Sequence, residues 1–273
     1  MQGLDVFIPT ERKIEYINQL LKVGFDTIDF GSFVSPKAIP QLRDTAEVLA
    51  ALNWSRSKSK LLVIVANTRG AEEASLHEGI TYIGFPLSIS ETFQLRNTNK
   101  SIAQALNTLE EIKNICVKTN KKLVTYISMG FGNPYGDAYS VELVDEFVAI
   151  VSSMGSDVIS LADTIGVSTP ENVSYLFASL SKQFPGLEIG AHLHSNPATA
   201  RQKIDAAYRA GCKHFDGAIL GFGGCPMAED KLVGNLATET IVGYLIDETG
   251  DAGIDVAEFQ VAIAMADGIF PKH

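Results

Sequence analysis

The chain has 273 residues, 46% hydrophobic and 20% charged, with a net charge of −10. That length and composition suit one large α/β domain with a sizeable core. The acidic balance argues against sequence-independent nucleic-acid binding, which needs a basic footprint, and no apolar run reaches the roughly 18 residues of a membrane span.

Residues 1–5 show no basic stretch followed by an apolar core, so no signal peptide is read. The three cysteines, Cys116, Cys212 and Cys225, are odd in number and widely spaced. They read as reduced thiols of a cytoplasmic protein.

The first element is a helix over 10–23, with Ile14, Ile17, Leu20 and Leu21 on one face and Gly24 following. A strand at 27–30 and a helix at 39–52 come next, then strand 60–66, helix 71–77 and strand 80–85. A long helix follows at 102–119 and a strand at 122–128. Ser140 is placed as the N-cap of a helix over 141–153, and strand 157–161 follows. Thr169-Pro170 starts a helix over 170–183, with proline at its first position. The remaining elements are strand 187–192, helix 197–210, strand 214–218, helix 238–248 and an appended C-terminal helix at 256–269.

Strict alternation implies a parallel sheet, either a closed (β/α)8 barrel or an open doubly wound sheet. The count favours a TIM barrel with one irregularity: eight helices but seven strands, the first strand of the barrel not being found in 1–9. A single barrel domain is expected over 1–273.

In such barrels the chemistry gathers at the C-terminal ends of the strands. His192-Leu193-His194 lies at one such end. Residues i and i+2 of a strand share a face, so both imidazoles would converge on one point, as two ligands of one metal ion must; two surface histidines are the plainer reading. Asp29 and Asp163 end other strands. Either could cap the next helix, but Asp163 stands several residues before Pro170, which weakens that role for it. The glycine-dense stretch from Gly221 to Gly224 carries Cys225, a thiol that a closing loop could deliver as acid or base. Cys116 and Cys212 fall on helix patterns and read as packing thiols. The Gly-x-Gly stretches at 130–134 and 221–224 lack the full dinucleotide or P-loop pattern.

Four blocks carry a resemblance that covers nearly the whole chain. They are Gly31-Ser32-Phe33-Val34-Ser35-Pro36-Lys37 with Pro40-Gln41; Asp163-Thr164-Ile165-Gly166-Val167 with Thr169-Pro170; His192-Leu193-His194; and Gly223-Gly224-Cys225-Pro226-Met227-Ala228 with Gly234-Asn235-Leu236-Ala237-Thr238-Glu239. Together they resemble the hydroxymethylglutaryl-CoA lyase family, within the wider group of metal-dependent lyases and acyl-CoA condensing enzymes.

The resemblance implies cleavage of 3-hydroxy-3-methylglutaryl-CoA to acetoacetate and acetyl-CoA with a divalent cation, Mg²⁺ or Mn²⁺. It implies His192, His194 and Asn235 as metal ligands, and Cys225, Asp163, Asp29 and His192 as the catalytic set. An acyl-CoA is the implied partner, with no nucleic acid or membrane. Lys37, Arg69, Arg96 and Lys100 are candidates for a CoA phosphate patch, though solvated surface is the first reading for each.

Three departures stand out. The family's glutamate at the end of its second strand is the shorter Asp29 here. The spacing from Cys225 to Asn235 is one residue longer than in the animal enzymes. The family's first-strand Arg-Asp pair, whose Asp ligates the metal and whose Arg stabilises the enolate, would precede Gln2 and is absent, so the fourth protein ligand is missing. A start placed too late and a degenerate family member are the two explanations; the otherwise intact site favours the first, and this form is expected to be impaired. A related condensing or 2-oxo-acid aldolase-type enzyme, or a non-catalytic family member, is the alternative. An unpaired sheet edge at the missing strand would invite homo-oligomerisation.

Overall fold

The alternation becomes a seven-stranded, all-parallel sheet in the order β1 to β7, curled with helices outside. The computed structural model describes residues 1, 4, 6–223 and 233–270. The strands are β1 (Thr27–Ser32), β2 (Lys60–Ile64), β3 (Ile80–Ser88), β4 (Lys122–Ser128), β5 (Val158–Asp163), β6 (Glu188–Leu193) and β7 (His214–Phe215). The helices are α1 (Thr10–Val23), α2 (Thr45–Ala50), α3 (Thr68–Ser75), α4 (Glu91–Thr98), α5 (Ile102–Thr119), α6 (Val141–Ser153), α7 (Pro170–Gln183), α8 (Pro197–Arg209), α9 (Thr238–Thr249) and α10 (Val256–Ile269). This is the expected TIM-barrel architecture with its extra C-terminal helix. Among the described residues no strand joins β1 to β7, and the barrel is open along that side.

Strand parity divides the residues into two cores. Ile28, Phe30, Leu61, Val63, Ile83, Phe85, Ile159, Leu161, Ala191 and Leu193 face outward into the main core beneath the helices. The alternate residues Leu62, Tyr82, Val124 and Val158 form a smaller cluster inside the barrel, with Ile64 and Tyr126 against it. Both faces are covered, which is why most of the strands read as continuous apolar runs.

Three elements differ from the sequence reading. The helix expected over 39–52 is a 3₁₀ turn at Pro40–Leu42 followed by α2. The break is set by Thr45, whose hydroxyl donates to the Leu42 carbonyl (2.7 Å) and accepts from the Ser32 amide (3.0 Å), tacking the segment onto β1. Gly31 makes room for that contact, since a Cβ there would lie 2.5 Å from Thr45 Cγ2. The strand expected over 214–218 stops after two residues, because Ala218 bridges to Ala237 and Leu220 then turns at φ 60°. Helix α4 was not foreseen. It offers too short a periodicity to detect, and it starts where Asp137 receives the Ser90 hydroxyl (2.5 Å) and the Thr92 amide (3.0 Å).

Helix α10 lies against α1 and builds a second core of Ile8, Tyr16, Val23, Ile219, Val242, Phe259, Ala262, Ala266 and Phe270. Phe259 meets Phe25 edge-on at 5.8 Å, and Phe270 meets Tyr16 at 5.6 Å. Gln19 ties the helices by donating to Glu258 Oε2 at 2.6 Å. Among the described residues no helix is long and apolar enough to cross a membrane. Phe259 is fully buried, so Phe259→Ala should lower unfolding free energy by about 3 kcal/mol. Urea denaturation checks this; a loss under about 1 kcal/mol would show that α10 is not part of the cooperative core.

Candidate active site

The register of the last strands brings polar groups together in a barrel that is otherwise apolar. Ser160 of β5 aligns with Gly190 of β6, and Gly190 with His214 of β7, while Ala162 aligns with His192. Gly190 leaves space for the next strand's side chain: a Cβ there would stand 3.0 Å from the His214 ring. Asp216, just past β7, is the hub. It accepts from Ser160 Oγ (2.9 Å), pairs with His192 Nδ1 (3.0 Å) through Oδ2, and faces His214 Nε2 (3.4 Å) through Oδ1. His214 Nδ1 in turn meets Glu188 at 2.9 Å.

The electrostatics follow from that crowding. Burial disfavours the charged form of Asp216, but hydrogen bonds from His192 and His214 outweigh it and hold its carboxyl well below the usual range. Burial likewise pulls His192 down, yet the bond to Asp216 and the charges of Asp216 and Asp29 raise it overall. Asp29 points into the same lumen. It keeps solvent contact, yet the protein atoms around it and the Asp216 charge raise its carboxyl to about 7. Tyr126 packs edge-on against His192 at 5.5 Å, and burial pushes its phenol well above its ordinary value. Asp216 and Tyr126 escaped the sequence reading. The available signal was Asp216 two residues after His214, which repeats the i, i+2 pattern of the histidine pair.

His194 continues the strand direction beyond β6. Its ring centroid lies 5.6 Å from that of His192, tilted by 47°. Its main chain bridges antiparallel to Asn235, with the Ser195 amide donating to Gly234 and the Leu236 amide to Leu193. Three of the expected residues, His192, His194 and Asn235, are thus brought to one rim. The Asn235 amide nitrogen donates to the Phe222 carbonyl at 2.9 Å, so its amide oxygen is the atom that would meet a cation.

This set fits a metal ion in one specific respect. His194 is 4% exposed, and its buried Nδ1 has no hydrogen-bond partner among the described residues. Burial, reinforced by the nearby His192, lowers its pKa to about 4, which keeps a lone pair available at neutral pH. His192 uses Nδ1 for a carboxylate, so Nε2 is the nitrogen that would meet a cation, the arrangement common to metal-bound histidines. Among the described residues no three His, Cys, Asp or Glu side chains form a metal-holding group; the candidate donors are the two imidazoles and the amide of Asn235, whose main chain bridges to that of His194.

The other expected residues fall elsewhere. Asp163 shares the parity of Ile159 and Leu161, so its side chain faces the helix layer and not the lumen. It is 1% exposed, and it accepts from the Val167 amide (2.9 Å), the Ser168 amide (3.0 Å), the Ser168 hydroxyl (2.5 Å) and Lys203 (3.1 Å). Cys225 and Gly224 lie outside the described residues. Cys116 and Cys212 are buried free thiols, as expected, with burial raising them to about 11 and about 12. Of the phosphate candidates, Arg96 lies over the Tyr135 ring at 4.6 Å and Lys100 donates to Thr108 at 2.7 Å. Lys37 and Arg69 are exposed.

The HMGL-like family pattern matches residues 1–265. A hydroxymethylglutaryl-CoA lyase of Bacillus subtilis is 36% identical over 248 residues, covering 91% of this chain and 82% of the relative. The chain belongs to the hydroxymethylglutaryl-CoA lyase family. Solved structures of the family superimpose closely. A B. subtilis HMG-CoA lyase gives a TM-score of 0.90 at 34% identity, covering 98% of this chain and 89% of that one. An Acinetobacter baumannii HMG-CoA lyase, solved with coenzyme A and 3-methylmalate, gives 0.89 at 30% identity, covering 98% and 87%. In this lyase, therefore, the rim formed by His192, His194 and Asn235 belongs to a carbon–carbon lyase barrel.

The Asp216 hub has a consequence for stability. Hydrogen bonding to Asp216, opposed by burial and aided by Glu188, raises His214 from 6.5 to about 9. A group raised on folding contributes stability that is full below its unfolded pKa and is lost as pH rises through the folded one. Unfolding free energy should therefore fall between about pH 6.5 and pH 9, and His214→Gln should flatten that slope. Denaturation across this range checks it; an unchanged slope in the variant would contradict the assignment.

Proposed function

We propose that the chain cleaves 3-hydroxy-3-methylglutaryl-CoA into acetoacetate and acetyl-CoA, with Mg²⁺ or Mn²⁺ held by His192, His194 and Asn235. The observation that carries the proposal is the pairing of the His192 and His194 rings at 5.6 Å, with a buried imidazole nitrogen that has no partner among the described residues, next to the main-chain bridge to Asn235 in a barrel of this family. The names of its relatives as hydroxymethylglutaryl-CoA lyases support the substrate.

A divalent cation bound at that rim would polarise the substrate's hydroxyl and carboxylate oxygens and fix the reacting carbons. The chain's own residues supply the rest. Asp216 fixes the tautomer and aim of His192 through Nδ1. Asp29, with a pKa of about 7, is poised near neutrality to take the tertiary hydroxyl proton. The bond between the carbinol carbon and the thioester-side methylene then breaks, the hydroxyl carbon becomes the acetoacetate carbonyl, and the electron pair stays on the acetyl-CoA fragment. Cys225 returns a proton to that carbon. Tyr126, protonated throughout the physiological range, stays a donor beside His192. The apolar lining of Leu62, Val124 and Val158 limits water beneath the reacting atoms.

The assay is CoA-ester cleavage with Mn²⁺, followed by acetoacetate release. His192→Ala and His194→Ala should each lower the rate at least about a hundredfold, while retained full activity in either would overturn the ligand assignment.

A further inference from the structure

Lys203 is a buried cation that the proposed chemistry does not use. It lies on α8 in line with the apolar residues Ala200, Ile204 and Ala207, a place where methionine or leucine would pack, and is 2% exposed. Its ammonium has three protons and three acceptors: Asp163 Oδ2 at 3.1 Å, the His194 carbonyl at 3.2 Å and the Gly166 carbonyl at 3.4 Å. Asp163 in turn gathers the Val167 and Ser168 amides. The Lys203–Asp163 pair is thus a crosspiece between the turn after β5 and the main chain at the end of β6.

That location matters because His194 has left the regular ladder. Its peptide is held on one side by the bridge to Asn235 and on the other by Lys203. Among the described residues its Nδ1 has no partner, and the one main-chain contact acting on the ring is with Val233. The orientation of the imidazole therefore depends on that contact and on the peptide plane that Lys203 holds. A buried ion pair is a poor source of stability compared with well-packed apolar side chains, so the lysine's place in an apolar stripe points to geometry.

We propose that Lys203, braced by Asp163, is a positioning residue for the cation site, setting the His194 peptide so that its imidazole meets the ion. This rests on the metal reading above. It gives Asp163 a role through Lys203 and not at the reacting atoms.

The chain contains a matched control. Lys13 is equally buried and pairs with Asp44 at 2.7 Å, between α1 and α2, with a second bond to the Gln41 carbonyl. Mn²⁺ affinity, measured by EPR titration of the free ion, is compared in the parent, Lys203→Met, the double variant Asp163→Asn/Lys203→Met and Lys13→Met. The double variant avoids leaving a buried carboxylate unpaired. In parallel, the imidazole NMR signals of His192 and His194 are followed in the metal-free proteins.

Positioning predicts at least tenfold weaker Mn²⁺ binding in both Lys203 variants, with the His194 signal shifted and that of His192 held. Lys13→Met should lose thermal stability yet keep the parent's Mn²⁺ affinity. Unchanged affinity in the Lys203 variants, or an equal loss in Lys13→Met, would overturn the proposal. Failure of the parent itself to bind Mn²⁺ would remove the metal reading; the His194 signal alone would then decide, and an unmoved signal would overturn the positioning role.

Discussion

The two-residue repeat of a β-strand is the constraint on which this site depends. Along β6 it sends Ala191 and Leu193 into the helix layer and His192 and His194 toward the rim. A shift of one residue would exchange the two sets, burying both imidazoles beneath helices and exposing leucine to the lumen. The apolar outer core therefore fixes the polar inner face. The same repeat on β5 and β7 supplies Ser160 and His214 at one level and Asp216 above them.

Inside this frame, charge is arranged in two separate networks. One is open to the lumen and centres on Asp216, which restrains His192 and balances His214. The other is sealed behind β5 and β6 and centres on Lys203 and Asp163. One network holds a ring and the other a backbone carbonyl, and the two histidines differ accordingly. His192 is aimed by a carboxylate partner, whereas His194 has an unpartnered ring nitrogen and a constrained peptide. On the proposed reading, each network orients a ligand from outside: Asp216 the ring of His192, and Lys203 the peptide of His194.

Much of this was legible in the sequence. Seven strands and a C-terminal helix followed from periodicity, and the i, i+2 spacing brought His192 and His194 together. Asn235 came only through the resemblance, since forty residues separate it from His194 and no local pattern predicts the bridge between them. Asp163 shows what strand-end position alone omits. Ile159 and Leu161, four and two residues earlier, already mark its face as the buried one, and parity would have placed it against a helix. Lys203 was hidden for a related reason: a lysine within a helix reads as solvated unless the apolar residues flanking it on the same stripe are counted. Asp216 stood just beyond a strand of two residues, where periodicity has nothing to work on.

The central claim is that His192 and His194 share one divalent ion at the barrel rim. Electron spin-echo modulation of the Mn²⁺-loaded protein measures this directly, because each coordinated imidazole imprints its own nitrogen coupling. Two such couplings are expected in the parent, falling to one in each single histidine-to-alanine variant. A parent spectrum without nitrogen modulation, or one unaffected by either substitution, would contradict the account.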